Sequence, residues 1–259
     1  MSRARIDKIL SHEGFGTRKA VKKLLRVSEV TVNGKKVTDT GFIVNPDKDE
    51  ICVDGEVLCI KRNHYIMMNK KPGVVSANKD GLHQTVFDCL GEEYKTDFLQ
   101  ENLHLVGRLD MDTEGLLLFT TDGALTHRMT SPKSHSPKSY FVRLAHEENV
   151  ERQNEICRRF GEGIRIPAED NEMEADCKSA ELVWKTGDEC VLTITEGKYH
   201  QVKRMFRAVE NEVVYLKRLT IGPLKLDPDL DLGEYRELTE NEVDALLSGG
   251  DESGDEGEE

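Results

Sequence analysis

Apolar positions recur at helical and strand spacings along the chain, and the texture of these elements changes near residue 65. Arg5 to Glu13 reads as a helix stopped by Gly14. Thr17 stands as an N-cap before Arg18 to Arg26, where Val21, Leu24 and Leu25 form an apolar stripe. Val30-Thr31-Val32 and Lys36-Val37 bracket Asn33-Gly34, a strong hairpin signal. A second hairpin, Ile51-Cys52-Val53 against Glu56-Val57-Leu58, turns at Asp54-Gly55. These elements predict a small module over residues 1–60, followed by a linker at 61–64.

From Tyr65 on, short strand-like runs alternate with helical stretches. The runs are Tyr65 to Met68, Leu103 to Val106, Leu116 to Thr121, Tyr140 to Leu144, Val191 to Thr195 and Val213 to Leu216. Val150 to Phe160 and Gln201 to Val209 read as helices. No βαβ repeat with a glycine-rich phosphate loop appears, so α+β is predicted over a doubly wound sheet. Thr239-Glu240-Asn241-Glu242 is a capping box ahead of Val243 to Leu247. A second domain over 65–247 and a disordered acidic tail over 248–259 complete the expected organisation.

Charge sharpens this division. The net charge of -13 comes entirely from residues 227–259, which hold fourteen acids and one base. Residues 1–38 hold ten bases and three acids. A basic head beside a balanced body points to a polyanion, most simply nucleic acid. Arg18, Lys22 and Arg26 recur every four residues on one helix face, with Lys19 and Lys23 flanking it. No apolar run approaches the ~20 residues of a membrane helix. Arg3 and Arg5 lead into Ile6, Asp7 and Lys8 without an apolar stretch behind them, so no signal peptide and a cytoplasmic location are expected. Six scattered cysteines (52, 59, 89, 157, 177 and 190) form no Cys-x-x-Cys pair and are expected as reduced, mostly buried thiols.

Three segments carry candidate chemistry. Gly107-Arg108-Leu109-Asp110-Met111-Asp112-Thr113-Glu114-Gly115 puts three carboxylates and an arginine between two strand-like runs. Asp110 beside Arg108 can stay ionised as a nucleophile or base. Acids are also common in ordinary polar turns, and spacing alone favours that reading. Tyr140 opens a strand, where it can stack on a base or sit half-buried as a strand aromatic. Gly197 ends a strand ahead of a basic amphipathic helix whose Val202, Met205, Phe206 and Val209 form the buried stripe. That leaves Lys203, Arg204 and Arg207 for an anion or a carboxylate. His200 reads as a hydrogen-bonded structural histidine, since no second His or Cys lies at metal spacing. No metal, nucleotide or redox cofactor is implied.

Taken together, these segments resemble the rRNA pseudouridine synthases of the RsuA-like, small-subunit (16S) branch. The likeness rests on Gly107-Arg108-Leu109-Asp110-x-x-Thr113-x-Gly115-Leu116, on Asn69-Lys70-Lys71-Pro72-Gly73, on Lys138-x-Tyr140 and on Glu196-Gly197-Lys198-Tyr199-His200-Gln201-Val202-Lys203-Arg204-Met205. The head resembles the alpha-L RNA-binding module of a small-subunit ribosomal protein, in its Arg-x-Asp-Lys start and Val-x-Val-Asn-Gly hairpin. The resemblance implies a mostly antiparallel mixed sheet with flanking helices, and isomerisation of one uridine to pseudouridine in small-subunit rRNA. It implies Asp110 as the nucleophile, Lys203 as the cation that pairs with it, and Tyr140 as the platform for the uracil. Arg108 would fill the place of the flipped base or hold a phosphate. Arg5, Arg18, Lys19, Lys22, Lys23, Arg26, Asn33, Lys35 and Arg204 would meet the RNA. Small-subunit rRNA, free or in an assembling subunit, is the implied partner of a monomeric enzyme without a cofactor. A large-subunit rRNA target and a non-catalytic assembly factor are the competing assignments.

Overall fold

The computed structural model describes residues 3–58, 60, 63–131 and 135–248. The expected linker at Lys61 and Arg62, the thiol of Cys59 and the acidic tail from Gly249 lie outside the described residues.

The head begins with strand β1 (Ala4–Arg5) and helices α1 (Ile6–His12) and α2 (Arg18–Val27). Thr17 caps α2 as its sequence predicts, its side chain accepting from Ala20 N at 3.2 Å. Strands β2 (Val30–Val32), β3 (Lys35–Lys36), β4 (Ile43–Val44), β5 (Ile51–Val53) and β6 (Glu56–Val57) follow. Four of them form a sheet in the order β3-β2-β5-β6. Both expected hairpin turns are present, with Asn33 at φ +50° and Asp54 at φ +48° ahead of left-handed glycines. Ile6, Leu10, Val21, Leu25, Val30 and Ile51 are buried together beneath the helices.

The second part contains β7 (Tyr65–Lys70), a 3₁₀ turn Glu92–Tyr94, α3 (Asp97–Asn102), β8 (His104–Leu105), β9 (Glu114–Thr120), α4 (Gly123–Thr130) and β10 (Lys138–Leu144). Then come α5 (Val150–Glu162), β11 (Arg165–Ile166), β12 (Ala175–Asp176), β13 (Glu181–Trp184), β14 (Glu189–Ile194) and α6 (Gln201–Arg207). The chain closes with β15 (Val213–Ile221), β16 (Leu224–Lys225), β17 (Tyr235–Glu237) and α7 (Glu240–Ser248). A nine-stranded sheet runs β13-β14-β10-β15-β9-β7-β17, with β16 on β15 and β8 on β9. Every pairing in it with a described register is antiparallel except β15–β9. The fold is α+β with a mixed, mostly antiparallel sheet. Leu116 to Phe119 are buried on both faces of central β9, which is why that strand reads as an unbroken apolar run. The capping box forms: Thr239 N donates to Glu242 Oε2 at 2.8 Å, and Glu242 N donates to Thr239 Oγ1 at 3.3 Å.

The chain divides into two compact units, and the division differs from a cut at the linker. Residues 90–104 belong with 1–64, and 65–89 belong with 105–259. The reason is α3, whose Phe98 ring stacks on His12 of α1 at 3.8 Å. Of the five described cysteines, Cys177 and Cys190 are buried while Cys52, Cys89 and Cys157 are half-exposed; all are free thiols, fewer of them buried than expected.

Candidate active site

Between β8 and β9 the backbone makes a loop whose ends are glycines with positive φ, Gly107 at +76° and Gly115 at +100°. At Gly115 a side chain has no room: a Cβ would fall 2.3 Å from the Arg218 carbonyl oxygen of the neighbouring parallel strand. The loop turns at Asp110, whose carbonyl accepts from Thr113 N at 3.1 Å. Other segments fasten it. Ser76 Oγ donates to the Leu109 carbonyl at 2.7 Å and accepts from Leu109 N at 3.1 Å. Gly73 N donates to the Met111 carbonyl at 2.8 Å. Lys70, fully buried, donates its Nζ to the carbonyls of Lys71 (3.1 Å), Met111 (3.2 Å) and Thr113 (2.9 Å). Burial pushes the Lys70 amine down to about 8, against the pull of Asp112 and Asp110. Arg218 donates Nε to the Leu116 carbonyl at 2.8 Å and Nη1 to that of Arg108 at 3.4 Å.

This scaffold presents Asp110 with 29% of its side chain exposed. Lys203 Nζ, on the first turn of α6, lies 3.1 Å from Asp110 Oδ2. The expected pair is therefore formed, but Lys203 is shared. It also meets both carboxylate oxygens of Asp112, at 2.7 and 2.9 Å. Burial alone would lower the Lys203 pKa; the Asp112 hydrogen bonds and the Asp110 charge outweigh it and raise the pKa. The same lysine lowers the Asp112 carboxyl, although burial pushes that group up. A permanently cationic lysine keeps a nearby carboxylate ionised and aimed, as a nucleophile requires.

Tyr140 lies on β10, 8% exposed. Its cross-strand partner on β15 is Arg218, which in turn pairs with Gly115 of β9. Tyr140, Arg218 and Gly115 thus form a row across the sheet at the root of the Asp110 loop. Lys138, two residues before Tyr140, is held below its usual pKa by burial and by the Arg218 charge.

Several sequence-predicted contacts are placed differently. Arg204 is buried, not available to RNA: its guanidinium donates to the carbonyls of Pro167 (2.8 Å), Tyr199 (3.1 Å) and Met173 (2.6 Å). Helical phase explains the difference, since the position next to Lys203 turns into the β11–β12 connection. Asn33 ties its hairpin to the segment that leads into β5, donating to Asp49 Oδ1 and accepting from Glu50 N, both at 2.9 Å. Arg5 is committed to Asp7 through two bonds of 3.1 and 2.8 Å. Arg18, Lys19, Lys22, Lys23, Arg26 and Lys35 are exposed as expected. Arg108 is exposed, and its side chain has no hydrogen-bond partner among the described residues.

Sequence reasoning assigned no role to Lys70, Ser76, Arg218 or Glu169. Lys70 carried a signal, in the motif Asn69-Lys70-Lys71-Pro72-Gly73. Glu169 carried none: it reaches the site from the β11–β12 connection, where its carboxylate meets Arg207 at 3.1 Å and the His200 ring at 3.5 Å.

The fold and this site define a two-part protein with a carboxylate–lysine pair on a fastened loop of its larger part. Residues 64–208 match the RNA pseudouridylate synthase family, and residues 4–51 match the S4 domain. YtzG of Bacillus subtilis, described as an uncharacterized RNA pseudouridine synthase, is 44% identical over 93% of this chain and 98% of its own length. Ribosomal small subunit pseudouridine synthase A of Escherichia coli is 39% identical over 94% of this chain and 100% of its own. The solved structure of a pseudouridylate synthase superposes with a TM-score of 0.62 at 39% identity, covering 93% of this chain and 99% of that one. The chain belongs to the RNA pseudouridine synthase family, with an N-terminal S4 domain.

Proposed function

We propose that this enzyme converts one uridine of small-subunit rRNA to pseudouridine, with Asp110 as the reacting carboxylate. The observation that carries the reading is the Asp110–Lys203 pair at 3.1 Å, on a loop fastened at 109, 111 and 113. The relatives named for the small ribosomal subunit, in Haemophilus influenzae and E. coli, are 40% and 39% identical to this chain and support the choice of rRNA.

The reaction is an isomerisation. The N1–C1′ bond breaks, the uracil turns, and a C5–C1′ bond replaces the C5–H bond; that proton leaves to solvent while N1 gains one. No electron leaves or enters overall. Asp110 supplies the negative group that engages the sugar as the glycosidic bond opens. Lys203 holds it ionised. Tyr140 offers a ring for the uracil, which must first leave its stack at a cost of a few kcal/mol. Arg108, exposed at the loop edge, fills the vacated place or meets a flanking phosphate. The exposed face of α2, with Lys19 and Lys23 beside it, supplies affinity for the RNA backbone more than sequence choice. The enzyme acts as a monomer in the cytoplasm, on rRNA or on an assembling subunit.

Tritium release from [5-³H]uridine-labelled small-subunit rRNA tests this. Wild type releases tritium, and Asp110→Asn binds the RNA equally but releases none. Release from large-subunit RNA alone would move the substrate, and an active Asp110→Asn would remove the assigned nucleophile.

A further inference from the structure

His200 stands at the start of α6 with φ +45°, a left-handed backbone that is strained for a non-glycine residue. Its ring lies flat on Tyr199, centroids 3.8 Å apart, and the Tyr199 hydroxyl donates to Asp170 Oδ2 at 2.8 Å. One edge of the ring faces Glu169, with Nδ1 3.5 Å from Oε2. The other faces the reactive loop, with Nε2 3.7 Å from Asp110 Oδ1. Glu169 is 17% exposed; Arg207 meets its Oε1 at 3.1 Å, while its buried Oε2 has no hydrogen-bond partner. A buried carboxylate oxygen without a donor is costly, and the imidazole edge is aimed at this one.

Each oxygen of Asp110 therefore has its own nitrogen: Lys203 Nζ on Oδ2 and His200 Nε2 on Oδ1. Lys203 alone cannot fix the carboxylate plane, because Lys203 also binds Asp112 and the terminal torsion of an aspartate is broad. The His200 imidazole, its Nε2 3.7 Å from the opposite oxygen, is the group placed to limit that freedom. We propose that His200, braced by Glu169 and clamped by Tyr199, is a positioning residue that sets the rotation of the Asp110 carboxylate for reaction. The charged groups around the ring fit this role: Asp110 and Asp112 from the loop, Glu169 from the β11–β12 connection, and Lys203 and Arg207 from α6.

The proposal rests on Asp110 being the reacting carboxylate, and one experiment separates the two. The backbone at 200 suits glycine, so His200→Gly should fold while leaving a gap shaped like the ring. Single-turnover tritium release and RNA affinity are measured for wild type, Asp110→Asn, His200→Gly, Glu169→Gln and the double variant, with and without added imidazole. The expected result is a loss of about 10- to 100-fold in rate for His200→Gly at unchanged RNA affinity, since small misplacements of a reacting group cost this much. Imidazole restores rate to that variant alone, and Glu169→Gln slows the wild type but not His200→Gly. A His200→Gly rate within two-fold of wild type overturns the proposal. So does a slow His200→Gly that imidazole does not help and that Glu169→Gln slows further. An active Asp110→Asn instead overturns the reading beneath it.

Discussion

The carboxylate proposed to react, Asp110, sits on a loop whose geometry is held by three residues from distant segments. Lys70 and Ser76 fix the backbone on either side of it, and Lys203 fixes the charge. Lys203→Met should slow single-turnover pseudouridine formation by about 10²- to 10³-fold, the range for losing one preorganised electrostatic partner. Asp112→Asn should cost less than about five-fold, because that carboxylate is 71% exposed and its pair is screened by solvent. Equal losses in the two variants would show that Lys203 serves Asp112. Lys70→Met leaves three carbonyls without their donor and should destabilise the fold by about 2–4 kcal/mol in urea unfolding. The pairing of Asp110 with Lys203 was legible because both stand in motifs with a known family pattern. Ser76, Arg218 and Glu169 were not, because they lie 34, 108 and 59 residues from Asp110 and meet its loop or its neighbours only through tertiary packing. Arg204 misled for a local reason: next to Lys203 in a basic run, it looked exposed, yet helical phase buries it.

Helices and hairpins with local punctuation were read closely from sequence. Thr17 marks the start of α2, the Asn33-Gly34 and Asp54-Gly55 turns fall where expected, and the Thr239–Glu242 box caps α7. The two- and three-residue strands β11, β12, β16 and β17 left no period to detect; their pairing depends on partners across the sheet. The α7 cap carries a pH prediction. Hydrogen bonds from Arg236 and Thr239 outweigh the opposing effect of burial and hold the Glu242 carboxyl at about 2, below the 4.5 of a free glutamate. A lowered folded pKa stabilises above pH 4.5, and the contribution is lost as pH falls towards 2. After discounting for partial exposure, Glu242→Gln should cost about 1–2 kcal/mol at pH 7 and almost nothing near pH 2. A constant cost across that range would place the loss in packing. At the crossing of β9 and β15, Gly115→Ala should destabilise by at least about 3 kcal/mol, since both φ and the Arg218 backbone forbid a Cβ. A stable, active variant would show that the strands can separate there.

At the scale of the whole molecule, the division into a basic head and a catalytic body was legible from charge and spacing, but its membership was not. The segment 90–104 is far from the head in sequence and joins it through Phe98 on His12, a contact no local pattern announces. The head should bind RNA through phosphates. Lys22→Ala with Lys23→Ala should weaken binding and flatten the salt dependence of log K by about one to two units of slope. An unchanged slope would mean that this helix does not meet the backbone. The central claim concerns the whole protein acting on its RNA, and pseudouridine mapping tests it most directly. Ribosomal RNA from cells with and without this gene is treated with carbodiimide and read by primer extension. The account predicts that one small-subunit pseudouridine disappears with the gene, returns with the wild-type chain, and does not return with Asp110→Asn. A map unchanged by the gene's loss, or one restored by Asp110→Asn, would contradict it.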